Sequence, residues 1–111
     1  MSTPRLEQLL AFLAQDPTDP FVHYALALEY QRQGQPETAA QYFAGLVRNH
    51  PSYLATYYHY GKLLQDQGQT ESAIDLFRAG IEVATEARDR NALRELNEAL
   101  QLALGFDEDG F

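Results

Sequence analysis

Apolar residues recur along the chain at helical spacing, and nowhere do they alternate with period two for long enough to suggest a strand. Phe21, Tyr24, Ala25 and Leu28, with Ala27 and Tyr30 in the neighbouring row, fall on one side of a chain turning every 3.6 residues. Ala39, Ala40, Phe43, Leu46 and Val47 form a second stripe of the same kind. The pattern returns in Tyr57, Tyr58, Gly61 and Leu64, and again in Ala73, Ile74, Phe77 and Ile81. At the two ends, Leu6, Leu9, Leu10 and Leu13 make one leucine face, and Leu93, Leu96, Leu100 and Leu104, with Leu102 beside them, make another. The spacing predicts helices over about 4–14, 20–33, 36–48, 53–67, 70–86 and 90–104.

Local punctuation agrees with the periodicity. Thr3 before Pro4 and Asp19 before Pro20 each pair a side-chain acceptor with a first helical residue that needs no amide hydrogen. Ser52 after Pro51 is expected to cap the fourth helix in the same way. Gly34 and Gly68 stand between paired helices, where a tight turn requires positive φ, and Pro36 and Thr70 follow as helix starts.

Displacing the chain against itself by 34 residues brings eight identities into register. They are Tyr24 with Tyr58, Gln31 with Gln65, Gln33 with Gln67, Gly34 with Gly68, Gln35 with Gln69, Glu37 with Glu71, Ala39 with Ala73 and Phe43 with Phe77. Ala27 meets Gly61, so a small residue recurs in each first helix; a close neighbouring backbone is the expected reason for the glycine. Gly45 and Gly80 fall one residue out of register with each other, and periodicity offers no account of either.

Composition narrows the function. A chain of 111 residues is one small domain's worth, and 45% apolar with 12% aromatic residues is too hydrophobic for a disordered acidic chain. With 16 acidic and 8 basic residues the net charge is -8, and the basic residues are scattered among acids, which argues against nucleic acid and anionic membrane surfaces as partners. The absence of Cys removes disulfides, thiolate nucleophiles and Cys-built zinc sites. The first seventeen residues are too polar for a signal peptide or a membrane span, so a cytoplasmic location is expected. His23, His50 and His59 form no spacing that converges on a metal, and no catalytic or nucleotide-binding motif is present. Neither enzyme activity nor a cofactor or metal is expected.

The repeated unit resembles the tetratricopeptide repeat family: small residues at Ala27 and Gly61, Tyr30 and Leu64 about one turn later, turn glycines Gly34 and Gly68, then Ala39 and Ala73, Phe43 and Phe77, and Pro51 closing the first unit. Thr85 stands where the second unit would carry that proline, Gly80 replaces Leu46, and His23 takes a place usually held by a large apolar residue. The resemblance implies an all-α fold, a right-handed superhelical stack of antiparallel helix pairs (an α-solenoid) with about six helices. It implies a single domain over residues 1–105, with repeats at 20–51 and 54–85, flanking helices at 4–14 and 90–104, and an acidic tail at 106–111. Such arrays bury their apolar faces only against neighbours, so the flanking helices are expected to cover the two ends.

The same resemblance implies function. First helices of such repeats line a concave groove that grips a peptide or partner helix. Carried over position by position, this places Phe21, Tyr24, Leu28, Gln31 and Arg32 on the groove in the first repeat, and Ala55, Tyr58, Lys62, Gln65 and Asp66 in the second. Tyr53, Tyr57 and Tyr60 are read as packing residues or a helix-entry contact. Lys62 stands alone where a subclass of the family uses several cations to grip a terminal carboxylate, so that mode is not expected. The leading function is a non-catalytic module binding a protein or peptide. The alternative is a structural, self-associating protein such as a homodimer, joined through exposed surfaces of the end helices or through Phe106 and Phe111 of the tail.

Overall fold

The computed structural model of the protein describes residues 2–105. Among them are six helices and no strand: α1 (Pro4–Gln15), α2 (Pro20–Arg32), α3 (Pro36–Asn49), α4 (Ala55–Asp66), α5 (Thr70–Ala87) and α6 (Arg90–Ala103). Every boundary falls within two residues of its expected place. The expected acidic tail lies outside the described residues. None of the described helices is long and apolar enough to cross a membrane. Contacts divide the chain into two compact units, Met1–Tyr53 with α1 to α3 and Leu54–Phe111 with α4 to α6.

Hydrogen bonds at the helix ends show why the chain turns where it does. In α1 the Thr3 hydroxyl accepts from the Leu6 amide at 3.1 Å, and in α2 the Asp19 carboxylate accepts from the Phe21 amide at 2.9 Å, as the Thr-Pro and Asp-Pro pairs lead one to expect. Ser52 does not act likewise. Leu54 occupies the cap of α4 without a side-chain bond, and residues 51–54 form a turn in which the Tyr53 amide donates to the His50 carbonyl at 3.0 Å. That turn lays the Tyr53 ring against Tyr24, 5.6 Å between centroids.

Three connections repeat one geometry. Gly34 (φ 75°) and Gly68 (φ 81°) hold the left-handed position, and the following amides, Gln35 and Gln69, reach back to the carbonyls of Tyr30 at 2.9 Å and Leu64 at 2.8 Å. After α5 the same place belongs to Arg88 (φ 57°), with the Asp89 amide on the Ala84 carbonyl at 3.0 Å. Each connection is so short that the helices it joins must form antiparallel hairpins, α2 with α3, α4 with α5, and α5 with α6.

In the first unit Leu6 and Leu9 of α1 pack on Val22, Ala25 and Leu26 of α2, with Leu13, Tyr30 and Tyr42 against the cluster. Leu10, expected on the same face, is 37% exposed, because the row 6, 9, 13 takes the contact and leaves residue 10 at its edge. The end of α2 carries a buried charge. Glu29 accepts from Arg32 at 3.0 Å and from Gln33 and the Thr3 hydroxyl at 3.4 Å each, with Arg5 at 3.8 Å, so the carboxylate links α1 to α2. Its pKa is held below the usual carboxylate value chiefly by the Arg32 hydrogen bond, against the opposing effect of burial.

The second unit closes by shape instead. Phe77 is fully buried, as is Phe43 in the first unit, and burying each ring stabilises the fold by about 2–3 kcal/mol. A methyl group on Gly61 would overlap the Phe77 ring. The neighbour that requires glycine is therefore a side chain, where the sequence suggested a backbone. Gly80 also finds its explanation: a Cβ there would stand 2.6 Å from that of Tyr57 and 3.1 Å from a Leu96 methyl, so α4, α5 and α6 approach closely at this point. Leu96 of α6 is buried as the sequence leads one to expect, Ala99, outside the leucine stripe, is buried with it, and Leu102 and Leu104 are 55% and 40% exposed.

Candidate functional site

The expected groove residues of the first unit lie on α2 in different surroundings. Phe21 is 57% exposed. Tyr24, Leu28 and Gln31 are half-buried, and the Tyr24 ring leans on Tyr53, with burial first and then Tyr53 raising its pKa. Arg32 is exposed but already engaged with Glu29 at 3.0 Å. Any partner that recruits its guanidinium must share or break that ion pair.

In the second unit, Ala55 and Asp66 are exposed, and Tyr58, Lys62 and Gln65 are half-buried along α4. Ala55 and Tyr58 open with Leu54 onto a hollow of about 290 Å³ whose other wall belongs to α6 and its cap: Asp89, Asn91, Ala92, Glu95 and Leu96. Lys62, Gln65 and Asp66 lie further along α4, beyond the hollow's lining.

The hollow combines an aromatic wall with acidic groups. Tyr58 meets His59 edge to face, 5.3 Å between centroids. The charged groups in the lining are Asp89 and Glu95; one Asp89 oxygen accepts from the Ala92 amide at 3.0 Å and so holds the start of α6 in place. Behind the rim, burial lowers the pKa of His59, and Glu95 opposes the shift. A surface of this kind accepts an apolar side chain against the ring and a cation against the carboxylates.

Sequence periodicity did not mark the α6 wall. Asp89 and Glu95 sit on a helix read as a cover for the end of the array, and they answer to no repeat position. The signal that was available is the alternation itself, since a helix following α5 takes the place of a first helix and sets its polar edge beside α4. Among the described residues, no group of three or more His, Cys, Asp or Glu side chains has an arrangement able to hold a metal ion.

Short antiparallel hairpins with small and large residues exchanged in register define an all-α helical repeat protein. Two family models described as tetratricopeptide repeat match the chain, one over residues 30–96, more than half of it, and one over residues 9–41. The chain belongs to the tetratricopeptide repeat family, and its fold is of the α-solenoid class. It is similar to a tetratricopeptide repeat domain protein from Salinibacter ruber, with 42% identity over 80% of this chain and 100% of that one, and a TM-score of 0.76. Protein BPP2914 from Bordetella parapertussis is 25% identical over 96% of this chain and 92% of its own, with a TM-score of 0.79. The MamA protein shares the fold at 18% identity, with a TM-score of 0.70 over 94% of this chain and 55% of its own. No curated protein sequence matches. Proteins of this family are generally non-catalytic and typically mediate protein interactions.

Proposed function

We propose that the protein is a non-catalytic binding module that holds a peptide or helical segment of another protein against its first-type helices, in the cytoplasm. One observation carries the reading: α4 and α6 share a hollow in which Ala55 and Tyr58, two of the expected groove residues, face the carboxylates of Asp89 and Glu95. An aromatic ring offers contact area at little entropic cost, and the acids favour a segment that brings a Lys or Arg. Phe21, Tyr24, Leu28 and Gln31 are the corresponding candidates on α2 of the first unit, and Lys62, Gln65 and Asp66 would extend the contact along α4.

Affinity capture from the native cell, with the wild-type chain and the Tyr58→Ala variant as paired baits, tests the proposal. The expected result is loss of at least one specific partner by about tenfold, as removal of an interface anchor produces, with the helical circular dichroism unchanged. Identical partners from both baits overturn it.

Leu102 on the last turn of α6 and Leu104 at its C-cap, both exposed, favour a second reading in which copies of the chain associate. Solution mass by light scattering separates the two. A dimer that reverts to monomer with Leu102→Ser supports self-association, and a wild-type monomer at working concentration excludes it.

A further inference from the structure

The first unit holds a separate hollow, of about 430 Å³, between the α1–α2 connection, the start of α2 and the length of α3. None of the expected groove residues lines it. Its volume is that of a small-molecule site. Three features give it a chemical character.

First, it lacks the charge that dominates the chain. Arg48, His23 and His50 line it, and no carboxylate does among the described residues, in a protein whose net charge is -8. Asp16 stands nearby but is occupied by the amide and hydroxyl of Thr18, at 3.3 and 3.0 Å. Second, the wall is pre-formed. The Nε2 of His23 donates to the Pro17 carbonyl at 2.6 Å, and its ring meets Tyr42, which in turn stacks on Tyr30 at 5.7 Å with planes 13° apart. Third, Gly45 opens the wall without any packing reason. Glycine inside a helix is destabilising relative to alanine, yet a Cβ here would touch only the Arg48 guanidinium, at 3.7 Å. Gly61 and Gly80, inside helices of the second unit, are required by neighbours; this one leaves space where a cation lies.

We propose that this hollow binds a small aromatic carboxylate. The carboxylate would take two hydrogen bonds from the Arg48 guanidinium beside Gly45, and the aromatic body would lie against Tyr42 and Leu46. Binding here is independent of the α4–α6 hollow and does not rest on the function proposed above.

Titration of the isotopically labelled chain with 2-naphthoate, followed by amide chemical shifts, tests the assignment, with 2-naphthamide as the neutral control. Saturable shifts at Gly45, Arg48 and His50 are expected, with the amide weaker by about tenfold or more, the difference a charge-assisted hydrogen bond makes. Arg48→Gln should bring the acid down to the amide's affinity, and Gly45→Leu should abolish binding. Equal binding of acid and amide, shifts centred outside the hollow, or unchanged affinity in Arg48→Gln overturns the proposal. Arg48 is exposed and needs no core rearrangement to be replaced, so the result stands even if Gly45→Leu disturbs the helix.

Discussion

Glu29 in the first unit and Leu63 in the second occupy the same place in the 34-residue register, and both are buried, at 6% and 3% exposure. One unit fills that place with a carboxylate satisfied by Arg32, Gln33, Thr3 and Arg5, which ties a flanking helix by charge. The other fills it with leucine, and its flanking helix comes close at Gly80 by the absence of a side chain. Equivalent backbones thus close by different physics. The polar solution responds to pH and the steric one to volume.

The largest expected effect is steric. Phe77→Ala should cost about 3–5 kcal/mol in denaturant unfolding, the usual cost of emptying a fully buried aromatic site. Gly61→Ala should cost about 1–3 kcal/mol through its overlap with the Phe77 ring, and combining it with Phe77→Leu should recover part of that loss. Simple additivity of the two changes would break the pairing. At the aligned position of the first unit the reverse change, Ala27→Gly, should destabilise as well, because that helix accommodates the methyl group.

The two units should also differ in acid. His59 is held below its ordinary value of 6.5 by burial, so the second unit begins to lose stability as pH falls below 6.5 and continues to do so through the lower folded value. Glu29 is held below its ordinary 4.5 by Arg32, so its contribution is present above 4.5 and is lost as pH falls through its lower folded value. His59→Gln should remove the first decline and Glu29→Gln the second, read as unfolding midpoints across an acid series. A profile unchanged by either substitution contradicts the assignment.

Smaller effects sharpen the comparison of turns and caps. Arg88→Gly should stabilise by about 1 kcal/mol, since an L side chain in the left-handed position carries a penalty that Gly34 and Gly68 avoid. Thr56, fully buried with an unpartnered hydroxyl, should gain up to about 1 kcal/mol as Thr56→Val. Thermal unfolding midpoints check both.

What could be read from the residues followed from local chemistry. Asp-Pro, Thr-Pro and the two turn glycines state their backbone requirements, so the first two hairpins were legible almost residue by residue. Arg88 could not be read, because arginine carries no sign of a left-handed conformation that the α5–α6 hairpin imposes on it. Gly61 announced a close contact but not its partner, since the lean of the Phe77 ring is settled by packing around it. The α4 side of the hollow was legible through its register with Tyr24. The α6 side was hidden, because Asp89 and Glu95 acquire their place only once α6 folds back beside α4.

Photo-crosslinking from position 58, with exposed Arg78 on α5 as the control position, tests the binding account most directly. The account predicts that a reactive group replacing Tyr58 joins the chain to a different protein in the native cell, through a segment rich in Lys or Arg, and that one replacing Arg78 does not. Equal yields from both positions, or adducts made only with another copy of this chain, would contradict it.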